Sequence, residues 1–181
     1  MKTFLTVAAV LLLSGSVSAQ TPPDKKLFYP IIPNVGGVVP LPDAAEQPRS
    51  GAKVVVDITA DAKATDLNKG LERVARLLNL YGSAGRKASD VKIALVLHGE
   101  ATKSVLADSS YKVRFGADKN PNLAVIGELR KAGVEVFVCG QALASKGFEA
   151  SEVAEGIKVA SAALTVVINR QADGYSYVPA H

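Results

Sequence analysis

Residues 120–143 read NPNLAVIGELRKAGVEVFVCGQAL, and they contain a helix, a strand and the start of a second helix, in that order. Asn120 suits a helix N-cap, Pro121 suits the first helical position and Gly133 suits the end of the helix. The following run, VEVFV at 134–138, is rich in β-branched and aromatic residues, which favours a strand. A strand that is entered from one helix and left by another is the repeating unit of a parallel α/β sheet.

The same alternation extends along the chain from Lys53. Besides VEVFV, four segments read as strands: KVVVDIT (53–59), VKIALVLHG (91–99), GIKVA (156–160) and YSYV (175–178). The intervening segments read as two long helices at 66–82 and 161–174, a short helix at 101–106, a polar loop at 108–119 and a helical turn or two reaching about Lys146. The pattern predicts one α/β domain over residues 51–181, with a mainly parallel sheet and helices on both faces.

The predicted helix at 161–174, SAALTVVINRQADG, carries apolar residues around most of its circumference. A helix of this kind needs apolar cover on more than one side. The sheet would supply one side and a second subunit the other, so we expect a homo-oligomer.

The N-terminus has the layout of a secretory signal peptide over residues 1–19. Lys2 supplies a positive charge, residues 4–13 form a short apolar run, and residues 17–19 read VSA, a small-residue cleavage pattern. The apolar run is too short to cross a bilayer, and no cysteine follows the cleavage site to carry a lipid, so we predict no membrane anchor. We expect a periplasmic or secreted protein after cleavage near Ala19; the alternative is a buried N-terminal helix.

Residues 20–50 differ in composition from the rest. They hold most of the nine prolines of the chain, which exclude a regular helix or a central strand. They also hold an apolar group: Leu27, Phe28, Tyr29, Ile31 and Ile32. We interpret the segment as an extended arm lying on the domain or on a partner subunit, with a disordered spacer as the alternative.

The charge pattern excludes one class of partner. The formal net charge is +4, and the lysines and arginines are scattered without a basic run interleaved with aromatic residues. We therefore expect no nucleic acid as a partner.

Cys139 is the single cysteine, so no disulfide can form within the chain. It follows the third predicted strand, and Gly140 and Gln141 then introduce a helix, whose N-terminus favours a thiolate. Gly140 also lets the backbone approach closely. The alternatives are a mixed disulfide with another molecule, or a buried cysteine that acts only as a small apolar residue.

Asp57 and His98 follow the first two strands at the same sheet edge, where ligands collect in parallel α/β sheets. If the second and third strands are neighbours, His98 and Cys139 can pair, and the imidazole would favour the thiolate. The alternatives are a hydrogen-bonded structural role for His98 and a turn-capping role for Asp57.

The sequence predicts neither a metal nor a cofactor. A metal site needs about three or four ligands, and the chain offers Cys139, His98 and the terminal His181. The glycine-rich nucleotide loops and the serine nucleophile elbow are absent.

Several segments together resemble the DsrE/DsrF-like family, in particular its exported branch, over about residues 30–178. They are KVVVDIT, LNKGLERVARLLNLYG, VLHGEAT (which contains Gly99), NPNLAVIGELRKAGVEVFVCGQAL and SAALTVVINRQADGYSYV. The resemblance implies a three-layer α/β/α domain with a five-stranded parallel sheet, assembled into dimers, trimers or hexamers. It also implies a sulfur relay role, with Cys139 at the position of the cysteine that carries a persulfide. His98, Asn120 and Gln141 belong to the pattern without an assigned role.

Three functions follow as hypotheses. The first is a sulfur carrier on Cys139 that exchanges sulfur with a donor or acceptor protein or a small thiol. The second is a ligand-binding module, with a strand-end cleft roofed by the 108–119 loop through Tyr111 and Phe115. The third is a structural oligomer. Whether the chain is an enzyme stays open.

Overall fold

The computed structural model of the chain describes residues 26–180. The predicted signal peptide, residues 1–19, and the first residues of the predicted arm, 20–25, lie outside the described residues.

Five parallel strands form one sheet in the order β4-β3-β2-β1-β5. The strands are β1 (Ala52–Ile58), β2 (Val91–Leu97), β3 (Glu135–Cys139), β4 (Lys158–Ala160) and β5 (Ser176–Pro179). The α-helices are α1 (Lys69–Ser83), α2 (Asp108–Phe115), α3 (Leu123–Lys131), α4 (Gly140–Ser145) and α5 (Ala163–Ala172). Short 3₁₀ helices span Ala88–Asp90, Gly99–Val105 and Ala150–Glu152.

The two faces of the sheet are covered differently. One face packs Val56, Leu95 and Val136 into the main core with residues of α1 and α3. The opposite face, here called the α5 face, packs Val55, Val96 and Cys139 against Ala163 and Val166 of α5. Helices on both faces of an all-parallel sheet confirm the predicted three-layer α/β/α fold.

Helix α5 is only half covered. Its residues Ala163 and Val166 are buried, whereas the side chains of Leu164 and Ile168 on its outer face are 71% and 59% exposed. The helix thus has the apolar outer surface that its sequence predicts. Its cover by a second subunit stays a prediction.

The part of the arm that the structure describes lies on α1. Ile32 and Val38 are buried, and residues 28 and 38 form an isolated antiparallel bridge. The buried side chain of Asn79 accepts from the backbone N–H groups of Ile31 and Ile32 and donates to the carbonyls of residues 32, 35 and 36. One amide in the middle of α1 therefore holds the arm in a fixed shape.

Two local predictions were wrong. The predicted polar loop at 108–119 contains α2, because Tyr111 anchors it in the interior and Arg114 fixes it to Glu152, and neither contact is visible in a polar sequence. Helix α3 begins at Leu123 rather than at Pro121. Asn120 accepts from the N–H of Asn122 and forms a turn that precedes the helix.

Within residues 26–180, no helix has the length and apolar character needed to cross a lipid bilayer.

Candidate functional site

The carboxyl edge of the α5 face brings three of the predicted site residues together. Asp57 is the penultimate residue of β1, His98 directly follows β2, and Cys139 ends β3. In the register of the sheet Leu97 is level with Val138, so His98 and Cys139 come next on adjacent strands, about 4.8 Å apart in the backbone. Val96 and Cys139 belong to the α5-face cluster, and the side-chain alternation of a strand places His98 on that face too.

His98 is bonded to Asp57. Its Nε2 lies 2.6 Å from Oδ1 of Asp57, with the two side chains 30% and 13% exposed. An ionised carboxylate only accepts hydrogen bonds, so Nε2 carries the proton of this bond. In the neutral imidazole Nδ1 is then the nitrogen with a lone pair.

Tyr177 on β5 is a second partner of Asp57 that the sequence reasoning missed. It is level with Val55 on the same face, and its hydroxyl donates to Oδ2 of Asp57 over 3.0 Å. This hydrogen bond to the carboxylate raises the pKa of Tyr177, so the phenol stays a protonated donor. The sequence pattern predicts β5 as a strand but does not reveal that β5 lies beside β1. The contact between Tyr177 and Asp57 could therefore not be predicted from the sequence.

Cys139 is the N-cap residue of α4. Its Sγ accepts from the backbone N–H of Ala142 over 3.4 Å, and the residue is 6% exposed. Among the described residues, no hydrogen bond joins Cys139 to His98, whose bond is made to Asp57 instead. The two residues are thus neighbours on one face, and the sulfur is the partner of a backbone amide in the first turn of α4.

The glycines beside these residues fit their positions. A Cβ on Gly140 would lie 2.8 Å from the carbonyl oxygen of Ala160, so only glycine allows β4 to approach the start of α4 this closely. Gly99 has a φ of 55°, in the left-handed region that glycine favours. Gln141, on the first turn of α4, is exposed.

Asn120 and Tyr111 serve the interior in this structure. Asn120 is 4% exposed and donates to the carbonyls of Ser104 and Leu106. Tyr111 is fully buried, and its hydroxyl donates to the carbonyl of Ala64 over 3.0 Å. Burial raises the pKa of Tyr111, in agreement with this structural placement. Asn120 therefore holds the chain at residues 104–106, and Tyr111 holds α2 against the segment that contains Ala64.

Two cavities lie away from these residues. One, of about 680 Å³, separates the arm at residues 39–48 from the end of α1. The other, of about 750 Å³, lies at the amino ends of β2 and β3 and is lined by Lys87, Lys92 and Lys131, among others. Across residues 26–180, no group of three histidine, cysteine, aspartate or glutamate side chains could hold a metal ion.

Comparisons with known proteins agree with the fold. The family model described as the DsrE/DsrF-like family matches residues 53–179. A solved structure of a protein of unknown function from Methanobacterium thermoautotrophicum is similar to this chain with a TM-score of 0.52 and 22% identity. The similarity covers 71% of this chain and 98% of that chain, and at this identity it shows the fold alone. No curated protein matches the chain.

Proposed function

We propose, from the premise that this chain belongs to the DsrE/DsrF-like family, that it is a sulfur carrier which holds a sulfane sulfur on Cys139 as a persulfide. The family is generally linked to sulfur relay. The observation that carries the proposal is the position of Sγ at the N-cap of α4, where the amide of Ala142 donates to it. The thiolate is the form that attacks a donor sulfur, and the N–H of Ala142 donates a hydrogen bond to this sulfur at the start of α4.

The proposed loading step is a sulfur exchange without net oxidation. The Cys139 thiolate attacks the outer sulfur of a persulfide donor, R–S–SH. A bond forms between Sγ and the outer sulfur, the S–S bond of the donor breaks, and the donor leaves as the thiolate R–S⁻. Unloading is the same exchange in reverse, with an acceptor thiolate as the attacking group.

The surroundings of Cys139 support a carrier that shields its sulfur. The residue itself is 6% exposed, while Gln141 beside it is exposed and His98 is partly exposed. A donor would approach from the carboxyl edge of the sheet, where the exposed Gln141 and the partly exposed His98 lie. A protected persulfide reacts with fewer bystander thiols.

The test is loading followed by intact mass spectrometry. Wild-type protein is incubated with glutathione persulfide, alongside Cys139→Ser as the matched variant. We expect one added sulfur on the wild type, removed by dithiothreitol, and none on the variant. Equal labelling of both proteins, or no added sulfur on well-folded wild type, would contradict the proposal.

We also propose export, with cleavage near Ala19. The support is the sequence alone: a lysine, a short apolar run and the VSA pattern. The mass and N-terminal sequence of protein recovered from the periplasm or medium test it, with Gln20 expected as the first residue. Protein that keeps residues 1–19 in the cytoplasm would contradict it.

The second candidate function is a structural homo-oligomer. The specific observation in its favour is the exposed outer face of α5, where Leu164 and Ile168 present apolar side chains to solvent. The two functions are compatible, because an assembly through the outer face of α5 would not cover Cys139 at the end of β3.

A further inference from the structure

We infer that His98, Asp57 and Tyr177 form a proton-accepting unit that serves the thiol of Cys139. The inference rests on the proposed function. It assigns roles to His98, Asp57 and Tyr177, which the carrier function does not explain by itself. In this arrangement His98 takes the proton, and Asp57 and Tyr177 are positioning residues.

The four residues lie on successive strands, along a diagonal that runs from Tyr177 towards the carboxyl edge of the sheet. Tyr177, Asp57, His98 and Cys139 belong to β5, to β1, to the end of β2 and to β3, which are successive neighbours in the sheet. All four side chains project to the α5 face by the alternation of the strands. The first three are joined by hydrogen bonds of 3.0 and 2.6 Å, and the fourth is level with the third.

The hydrogen-bond roles leave one nitrogen for the thiol. Asp57 accepts on both carboxylate oxygens, from Tyr177 and from Nε2 of His98. Nδ1 is therefore the basic nitrogen, and no hydrogen bond to it exists among the described residues. Asp57 lies on the β1 side of His98 and Cys139 lies on the β3 side. The imidazole ring is therefore between the carboxylate, which holds Nε2, and the thiol.

A purely structural role explains the cluster less well. The backbones of β1 and β2 are already paired along all seven residues of each strand, so a side-chain bond between Asp57 and His98 is not needed to join them. The two polar groups also lie at the strand ends, where the imidazole keeps 30% of its surface exposed. A partly buried carboxylate with two donors fixes the tautomer of an imidazole, which matters for proton transfer.

The proton balance of the step is simple. The Cys139 thiol gives its proton to Nδ1 of neutral His98, and this yields a thiolate and an imidazolium. The imidazolium keeps its Nε2–H bond to Asp57, whose negative charge stabilises it. When the outer sulfur later leaves with an acceptor, the Cys139 thiolate takes the same proton back, so the unit returns to its starting state.

Alkylation of Cys139 by iodoacetamide measures thiolate formation without any sulfur donor. We expect His98→Gln and Asp57→Asn to lower the alkylation rate near neutral pH by about tenfold. Below its pKa, a thiol that ionises about one pH unit higher has about one tenth of the thiolate fraction. We expect Tyr177→Phe to lower it about two- to threefold, as it removes one neutral donor. All rates should converge with wild type at high pH, where the thiol ionises unaided.

Tyr175→Phe is the matched control. Tyr175 lies two residues before Tyr177, and its ring contacts Lys53 and Arg170 rather than Asp57. Its alkylation profile should superimpose on that of wild type. Because Tyr177 is 42% exposed, Tyr177→Phe should stay folded even if His98→Gln does not.

The imidazole tautomer gives a second readout on the wild type. The chain has two histidines, His98 and His181, so ¹⁵N-histidine spectra are simple to assign with His181→Gln. We expect neutral His98 to be protonated on Nε2, and its Nδ1 signal to shift in Cys139→Ser. Protonation on Nδ1, or alkylation profiles of His98→Gln and Tyr177→Phe that superimpose on wild type, would overturn the inference.

The two proposals fail differently. If persulfide loading fails while the alkylation profiles change as expected, the carrier function is wrong and the proton-accepting unit stands. If loading succeeds and the profiles of all variants coincide, the carrier function stands and this inference is wrong.

Discussion

At the scale of single residues, Cys139 occupies a helix N-cap, where serine, threonine, aspartate or asparagine is usual. Serine can accept the same N–H of Ala142, whereas alanine leaves it without a partner. We expect Cys139→Ser to keep the free energy of unfolding within about 1 kcal/mol of wild type, and Cys139→Ala to lose about 1 kcal/mol more than the serine variant. Urea denaturation of the three proteins measures both differences. Equal stability of the two variants would show that the cap contributes nothing.

Asn79 is the residue on which the arm depends. Its buried amide serves two N–H groups and three carbonyls of residues 31–36, and all of these would lose a buried partner in Asn79→Ala. We expect a loss of about 3 kcal/mol in the free energy of unfolding, since each orphaned buried group costs on the order of 1–3 kcal/mol. Residues 28–38 should also become sensitive to protease before the domain unfolds.

Asn169→Ala is the control for this change, because Asn169 is exposed on α5. It should leave stability and the protease pattern unchanged. If Asn79→Ala unfolds at the same urea concentration as Asn169→Ala, the arm is not anchored by this amide.

At the scale of elements, α2 is held by an ion pair with the 3₁₀ helix Ala150–Glu152. Arg114 contacts both carboxylate oxygens of Glu152, at 2.7 and 2.6 Å, and also donates to the carbonyl of Gly147. The bonds from Arg114 lower the pKa of Glu152 from 4.5 to about 2. Because the folded-state pKa is depressed, the pair stabilises the protein above about pH 4.5, and this stability is lost as pH falls towards about 2.

Glu152→Gln tests this pair. We expect the variant to be less stable than wild type at neutral pH, and the difference to shrink as the pH falls from about 4.5 to about 2. Thermal unfolding across this range measures it. The control is Glu46→Gln, whose partner Arg49 and own side chain are both 80% exposed, and which should show no such trend. A constant difference at every pH would show that ionisation of Glu152 is not the cause.

The elements differ in how far the sequence predicts them. Strands β1, β2 and β3 and helix α1 follow from their apolar patterns, because many of their residues are buried. The edge strands β4 and β5 are mostly exposed, so burial does not dictate them. Helix α2 does not follow from such a pattern, because DSSYKVRF is mostly polar and Tyr111 is its single buried residue. The helix is held by Tyr111 and by Arg114, whose partners are distant in sequence. The sequence predicts that α3 begins at Pro121 rather than at Leu123, because Asn120 makes a capping-type bond in a turn that precedes the helix.

At the scale of the whole molecule, the order of the strands decides the candidate site. The sequence predicts that Asp57, His98 and Cys139 share one edge, since all three lie at or next to the carboxyl ends of parallel strands. It does not reveal that β2 lies between β1 and β3, nor that β5 pairs with β1. The bond between Asp57 and His98 and the contribution of Tyr177 depend on that order, which long-range packing sets, so they could not be predicted from the chain alone.

The outer face of α5 gives the last prediction, which concerns assembly. Leu164 and Ile168 are exposed on a helix that covers the sheet with its other side, and single molecules rarely leave such a face open to water. We expect wild-type protein to form a homo-oligomer, and Leu164→Lys combined with Ile168→Lys to yield monomers of unchanged thermal stability, because charged residues at exposed helix positions cost the monomer little. Light scattering coupled to size-exclusion chromatography measures the mass. Val113→Lys, at an 86% exposed position on α2, should leave the oligomer intact. If wild-type protein is monomeric at tens of micromolar, the structural function is wrong, and the chemistry proposed for Cys139 must take place within a single chain.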